Sequence, residues 1–283
     1  MSAAPPAAQT SSTYVATDGS AYERFIGRWS RRLADLVAPL AEPLPPGKLL
    51  DVGCGTGSLA LALKQRFPDR GVVGIDVAEA YLAFAAARPA GDAVEFRQGD
   101  ACRMAFDDES FAASYALLVL NFVTDPRAAV SEMRRVTCGG GAVVAAGWDF
   151  RGGLVYQRIL WDSAAGIDPA AAGLRDRLFS GRLALPDGMS SLFEEAGLRD
   201  VRRQSVTIRM DFADFADYWE PLLAGQGPVG GYVAALPPEK QVAVREAVRS
   251  AFLSGAPDGE RSMTATAWVV RGTVLQVPKA DAE

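Results

Sequence analysis

Residues 48–60, Lys48-Leu49-Leu50-Asp51-Val52-Gly53-Cys54-Gly55-Thr56-Gly57-Ser58-Leu59-Ala60, constrain the fold more than any other stretch of the chain. Leu49, Leu50 and Val52 are the apolar run of a buried strand, and an acid sits within it. Gly53, Gly55 and Gly57 follow at alternate positions, where the backbone is free to take angles and approaches that a Cβ would block. From Ser58 onward Leu59, Ala60, Leu61, Ala62 and Leu63 favour helix. Strand, glycine turn and helix make the opening unit of a parallel α/β sheet, and a ligand at the turn would meet bare backbone and a helix N-terminus.

Two ligand classes use such a turn. The dinucleotide fingerprint G-x-G-x-x-G has its third glycine where this chain has Ser58. A carboxylate at Asp51 would also repel a pyrophosphate, whereas it suits a cationic ligand. Both features disfavour a nicotinamide-dependent oxidoreductase.

The pattern repeats downstream. A strand at residues 71–76 ends on Asp76, followed by Val77, and a strand at residues 94–98 leads to Asp100 and Ala101. In open α/β sheets ligands lie beyond the carboxyl ends of the strands, and an acid after the second strand grips ribose hydroxyls. A fourth strand within residues 111–120, a helix at residues 127–136, a sharp turn at Gly139-Gly140-Gly141 and a fifth strand at residues 142–147 complete the alternation. The second half breaks it. Helical spacing recurs at residues 154–166, 170–179, 190–196, 212–223 and 238–253, a glycine-proline loop is expected at residues 226–231, and residues 201–210 and 263–274 alternate as strands.

The expected organisation is a flexible tail at residues 1–18, an N-terminal lid helix within 19–46, and a ligand-binding core at 47–147. Helical cap insertions and the last two strands occupy 148–275, and a tail follows at 276–283. The fold class is α/β: a doubly wound, mostly parallel sheet of seven strands with a helical cap.

The net charge of −5 supplies no global basic field for nucleic acid or an anionic membrane. No apolar run reaches membrane-spanning length. Three cysteines without metal or disulfide spacing and an N-terminus without secretory character suggest a cytoplasmic setting. Histidine is absent from all 283 residues, which removes the commonest general base and metal ligand and every Ser-His-Asp or Cys-His scheme.

Leu50-Asp51-Val52-Gly53-Cys54-Gly55-Thr56-Gly57, Gly74-Ile75-Asp76, Gly99-Asp100-Ala101 and Glu132-Met133-Arg134-Arg135-Val136 together resemble the class I S-adenosylmethionine-dependent methyltransferases, in their ubiquinone-biosynthesis-like small-molecule branch. Tyr22-Glu23-Arg24-Phe25-Ile26-Gly27-Arg28-Trp29-Ser30 resembles a lid helix of one bacterial subgroup. Cys138 stands where the family usually has proline, and Ala112 where it often has Asp. The resemblance implies S-adenosyl-L-methionine as cofactor and S-adenosyl-L-homocysteine as product. It also implies that Gly53, Gly55 and Gly57 pass under the methionine part and that Asp51 fixes the amino group. Asp76 with Val77 would take the ribose, Asp100 and Ala101 the adenine, and Leu117 and Leu118 would lie near the sulfonium.

Methyl transfer needs orientation and water exclusion more than acid–base machinery. If a base assists, the candidates are Asp149, Glu220 and Tyr22, with Tyr156 and Tyr218 behind them. The cap is rich in aromatics, so the expected substrate is a small aromatic or lipophilic molecule. The alternatives are a relative that binds the same cofactor for a different reaction, the oxidoreductase, and a binding module without catalysis.

Overall fold

The computed structural model describes residues 11–14, 18–185 and 187–276. Most of the two expected tails therefore lies outside the described residues.

The chain opens with α1 (Gly19–Tyr22), a π-helical stretch (Glu23–Gly27) and α2 (Arg28–Val37). Five strands and three helices then alternate: β1 (Lys48–Val52), α3 (Ser58–Arg66), β2 (Val72–Asp76), α4 (Glu79–Ala86), β3 (Glu95–Gln98), β4 (Phe111–Leu117), α5 (Pro126–Val136) and β5 (Thr137–Trp148). The second half carries α6 (Val155–Ala165), α7 (Pro169–Ser180), α8 (Gly188–Glu195), β6 (Arg199–Phe212), α9 (Phe215–Trp219), α10 (Gly227–Ala234), α11 (Pro238–Leu253) and β7 (Arg261–Thr273).

The strands form one seven-stranded sheet in the order β3-β2-β1-β4-β5-β7-β6. The first five pair in parallel, while β7 runs antiparallel to both β5 and β6. The order reverses between β1 and β4, which opens a crevice at their carboxyl ends. Local chemistry sets the helices. In α5, Pro126 occupies the first turn, the Asp125 carboxylate accepts from the Ala128 N–H at 2.9 Å, and Arg134 and Arg135 close the C-terminus. One sheet face packs against α2, α3 and the cap helices, with Trp161, Tyr115 and Leu33 fully buried; the other packs against α5 and α8 through Met133, Leu192 and Phe193.

Four local expectations differ. Gly139-Gly140-Gly141 is not a turn ahead of β5 but part of it, because a register shift beside Phe111 and a positive φ at Gly140 absorb the irregularity within the strand. Residues 226–231 do not form a loop. Pro228 sits in the first turn of α10, and Gly230 packs so closely that a Cβ would stand 2.9 Å from the Gly225 backbone. Phe212 is the last residue of β6, and Asp214, two residues beyond it, caps the short α9. Residues 11–14, expected within the tail, pair with the segment between β4 and α5: the Thr13 N–H donates to the Phe122 carbonyl at 2.7 Å, and the Thr124 N–H to the Ser11 carbonyl at 2.7 Å.

Candidate active site

A cavity of about 930 Å³, counted out to its mouth, opens at the carboxyl ends of β1, β2 and β4. Its floor is Gly53, Gly55 and Asp76, and Leu117, Leu118 and Val119 form the β4 side. Its far wall is Phe25 and Ile26 from the N-terminal helical run, Trp148 at the end of β5, Phe150 just after it and Tyr156 in α6. A smaller recess of about 290 Å³ continues beneath the glycine turn, between Tyr22, Ser30, Asp51 and Ser58.

The glycines differ in what they permit. Gly53 has φ +67°, and a Cβ there would meet Val119 at 2.6 Å, so this position is closed by packing. Gly55 has φ +52°, and a Cβ would meet nothing nearer than the Tyr81 ring at 3.8 Å. It would project instead into the space above the turn. Gly57 takes φ +83° as the N-cap of α3 and abuts Ala85 and Phe96. Leu118, with φ +63°, is a non-glycine residue held in the left-handed region by its N–H bond to the Ala146 carbonyl. Strain of this kind gathers at ligand sites and costs on the order of 1–3 kcal/mol.

The acids are equally distinct. Asp51 is 1% exposed, and neither carboxylate oxygen accepts a hydrogen bond. Burial pushes its carboxyl well above the usual range, Asp76 adds to the rise, and the Ala60 N–H, short of hydrogen-bond geometry, offsets only part of it. A buried, unpartnered carboxyl aimed into a recess is what a cationic group would complete. Asp76 is held rigidly: Oδ2 accepts from the Gly55 N–H at 2.9 Å and Oδ1 from the Ala78 N–H at 2.8 Å. Burial raises its pKa, and these backbone donors pull it back. The Val77 carbonyl accepts from Gln98 Nε2 at 3.2 Å. Asp100 is not among the residues that line the cavity or the recess. Its carboxylate accepts from the Ser11 hydroxyl and N–H and from the Cys102 N–H; burial raises its pKa, but these donors outweigh it and hold the group below the usual value. Ala101 beside it is buried.

The catalytic candidates part company. Tyr22 borders both the cavity and the recess. Burial pushes its phenol up to about 12, so it keeps its proton at neutral pH and can donate but not act as a base. Asp149 is turned into its own loop, accepting from the N–H groups of Arg151 at 3.2 Å and Gly152 at 3.1 Å, and is not among the cavity residues. Glu220 is exposed at the end of α9. Proximity in sequence to the strand-five edge and to the aromatic cap suggested both acids, but loop capping and solvent claim them. Tyr218 is buried and donates to the Tyr156 carbonyl at 2.7 Å, and burial drives its phenol far above its ordinary value. Sequence reasoning missed Glu23. In the π-helical stretch it accepts from the Thr56 hydroxyl of the glycine turn and pairs with Arg31. Gly27 makes room for it, since a Cβ there would lie 2.5 Å from its carboxyl carbon. The N-terminal helical run is thereby tied to the turn. A π-helical register leaves no mark in hydrophobic spacing, so nothing in the sequence pointed to this link. Among the described residues no three His, Cys, Asp or Glu side chains are grouped as metal ligands, and no helix is long and apolar enough to cross a membrane.

Comparison with known proteins adds a second line. The family model described as "Methyltransferase domain" matches residues 50–145. The demethylmenaquinone methyltransferase of Roseiflexus castenholzii is 36% identical over 173 residues, which is 57% of this chain and 72% of that protein. Among solved structures, the YcgJ protein of Bacillus subtilis superposes with a TM-score of 0.53 at 19% identity, covering 88% of this chain and all of that one. The cyclase SpnF superposes with a TM-score of 0.51 at 24% identity, over 95% of this chain and 88% of that one. These two superpositions speak for the fold.

Proposed function

This chain belongs to the class I S-adenosylmethionine-dependent methyltransferases, in their small-molecule branch, and from that premise we propose that its methyl acceptor is a hydroxylated aromatic ring of quinol type. The enzyme uses S-adenosyl-L-methionine to methylate a small lipophilic molecule. The observation that carries the finer proposal is the cavity wall: Phe25, Ile26, Trp148, Phe150 and Tyr156 make it aromatic and apolar, and Asp76, the one acid among its described lining residues, is held by the Gly55 and Ala78 N–H groups on the opposite side. The relative's name makes demethylmenaquinone its acceptor, a quinone whose two-electron-reduced form is such a quinol-type ring, which supports the same choice.

The residues fit the cofactor. Asp51, unpartnered and buried, would take the methionine amino group; the open space over Gly55 would receive the methionine backbone, with Gly53 and Gly57 shaping the turn. Asp76 would accept from the ribose hydroxyls, backed by the Val77 segment, and Leu117 would flank the sulfur end. Asp100 and Ala101 would face the adenine edge, with Asp100 shared between the base and Ser11. When bound, the cofactor supplies an electrophilic methyl group on a sulfonium. The chain's own contribution is to orient the acceptor against Phe25, Trp148 and Phe150 and to exclude water. Tyr22, protonated at neutral pH, would donate a hydrogen bond rather than remove a proton. A cytoplasmic setting without a nucleic-acid partner is part of the same proposal, supported by three free cysteines and a net charge of −5.

The test is transfer of labelled methyl from S-adenosyl-L-methionine to a panel of reduced naphthoquinones, phenols, amines and thiols. Label in the quinols and phenols is expected. Label confined to amines or thiols would overturn the acceptor class, and cofactor binding without any transfer would favour the non-methylating alternative.

A further inference from the structure

On the substrate side of the cavity, the first turn of α6 places two buried polar side chains next to each other in an otherwise apolar wall. Gln157 is 8% exposed and Tyr156 is 4% exposed, and both border the cavity. Gln157 Nε2 donates to Tyr156 Oη at 2.9 Å. That bond uses the phenol oxygen as an acceptor and leaves two functions unspent. Among the described residues nothing accepts the Tyr156 hydroxyl proton, and nothing donates to Gln157 Oε1. Burial, only partly offset by the Gln157 bond, raises the phenol above its ordinary value, so the proton is present at neutral pH. The pair is also fixed from behind, since Tyr218 Oη donates to the Tyr156 backbone carbonyl at 2.7 Å. Polar groups held half-satisfied in an apolar wall cost free energy unless a ligand completes them.

We infer that Tyr156 and Gln157 form a donor–acceptor pair that selects an acceptor molecule carrying a hydroxyl group. A hydroxyl accepts from the Tyr156 O–H and donates to Gln157 Oε1, satisfying both at once. An ether satisfies only the first, and a methyl group satisfies neither. The inference rests on the aromatic-acceptor reading above and narrows it to a specificity-determining contact.

The experiment measures binding of 2-naphthol, 2-methoxynaphthalene and 2-methylnaphthalene by calorimetry, with the enzyme saturated in S-adenosyl-L-homocysteine. The wild type is expected to bind the naphthol about tenfold more tightly than the methyl compound, with the ether between them. Gln157→Leu and Tyr156→Phe should each cut the preference to about threefold or less while leaving S-adenosyl-L-homocysteine affinity unchanged. Tyr156→Phe keeps the ring in the core, so it serves if the glutamine variant folds poorly. Equal binding of the three probes by the wild type, or a preference that survives both substitutions, overturns the pair's role alone. Failure of the wild type to bind any of them overturns the aromatic-acceptor reading and the pair's role with it.

Discussion

The two sides of the cavity are built by different means. On the β1–β2 side, backbone does the shaping: glycines with positive φ, a carboxylate locked by two N–H donors, and an acid left bare. On the cap side, shape comes from bulk, with aromatic rings from the N-terminal run and the segment after β5 packed edge to face, as between Phe25 and Tyr156 at 6.5 Å. The first kind of site depends on a few positions that admit almost no substitution. The second spreads its energy over many contacts and can change its occupant by changing side chains. A shared cofactor and a variable acceptor call for that division.

The comparison breaks hardest at the glycine turn. Gly55→Val should lower S-adenosyl-L-methionine affinity by more than a hundredfold, because the side chain enters the ligand's space. Its structural cost should stay near the roughly 1–2 kcal/mol of left-handed strain, since nothing packs within 3.8 Å of the new Cβ. Gly53→Val should do the opposite in emphasis: a Cβ 2.6 Å from Val119 makes it mainly a folding defect. Thermal melts and cofactor titrations of the two variants side by side separate cradle from packing. Equal melting losses would remove the distinction.

Next in size is Asp76→Ala, expected to weaken the cofactor by about ten- to a hundredfold through loss of a charged acceptor. It should also loosen the turn, because the Gly55 and Ala78 N–H groups lose their partner. Unchanged affinity would place the ribose elsewhere.

Asp51→Asn should be milder for binding, about tenfold, and opposite in sign for the unliganded fold. The folded carboxyl sits above its unfolded value, so its contribution to stability is complete at low pH and is lost as pH rises through the raised pKa. At neutral pH the asparagine variant should therefore melt higher than the wild type without ligand. A cationic ligand pairs with the ionised form, so wild-type affinity should fall as pH is lowered through that raised pKa, while the variant's carboxyl-dependent slope disappears. Calorimetry across pH reads both, and a variant less stable than the wild type would show that Asp51 is structural.

The same division explains what the sequence made legible. Apolar runs, each closing near an acid, marked β1, β2 and β3, and period-two spacing marked β6 and β7, which were expected as an antiparallel edge. Glycine register and a preceding acid carry chemical meaning position by position, so Asp51, Gly55 and Asp76 could be named from residues alone. The cap could not be read that way. Whether Tyr156 faces core or cavity depends on how α6 is rolled against β7 and α11, and Gln157 carries no local signature at all. The pairing of residues 11–14 with the Phe122 and Thr124 backbone is likewise non-local, and polar composition there suggested only a tail.

The smallest expected effect completes the comparison, because it concerns residues that proximity in sequence favoured and geometry does not. Asp149→Asn retains an oxygen acceptor for the Arg151 and Gly152 N–H groups, and Glu220→Gln changes an exposed side chain. Each should leave kcat within about twofold, since a true general base contributes on the order of a hundredfold or more. Their pH–rate profiles should also match the wild type's. With Tyr22 at about 12 and the other cavity phenols raised by burial, no cavity tyrosine can serve as an anionic base near neutrality. With the cofactor saturating, so that the Asp51 titration is not read, any rise in kcat with pH should then follow the acceptor's own ionisation, shifting when a phenol of lower pKa replaces one of higher pKa. A drop of a hundredfold in either variant would instead require the loop after β5 or the end of α9 to swing its acid into the cavity during turnover, and the cap side would then be doing acid–base chemistry as well as shaping the pocket.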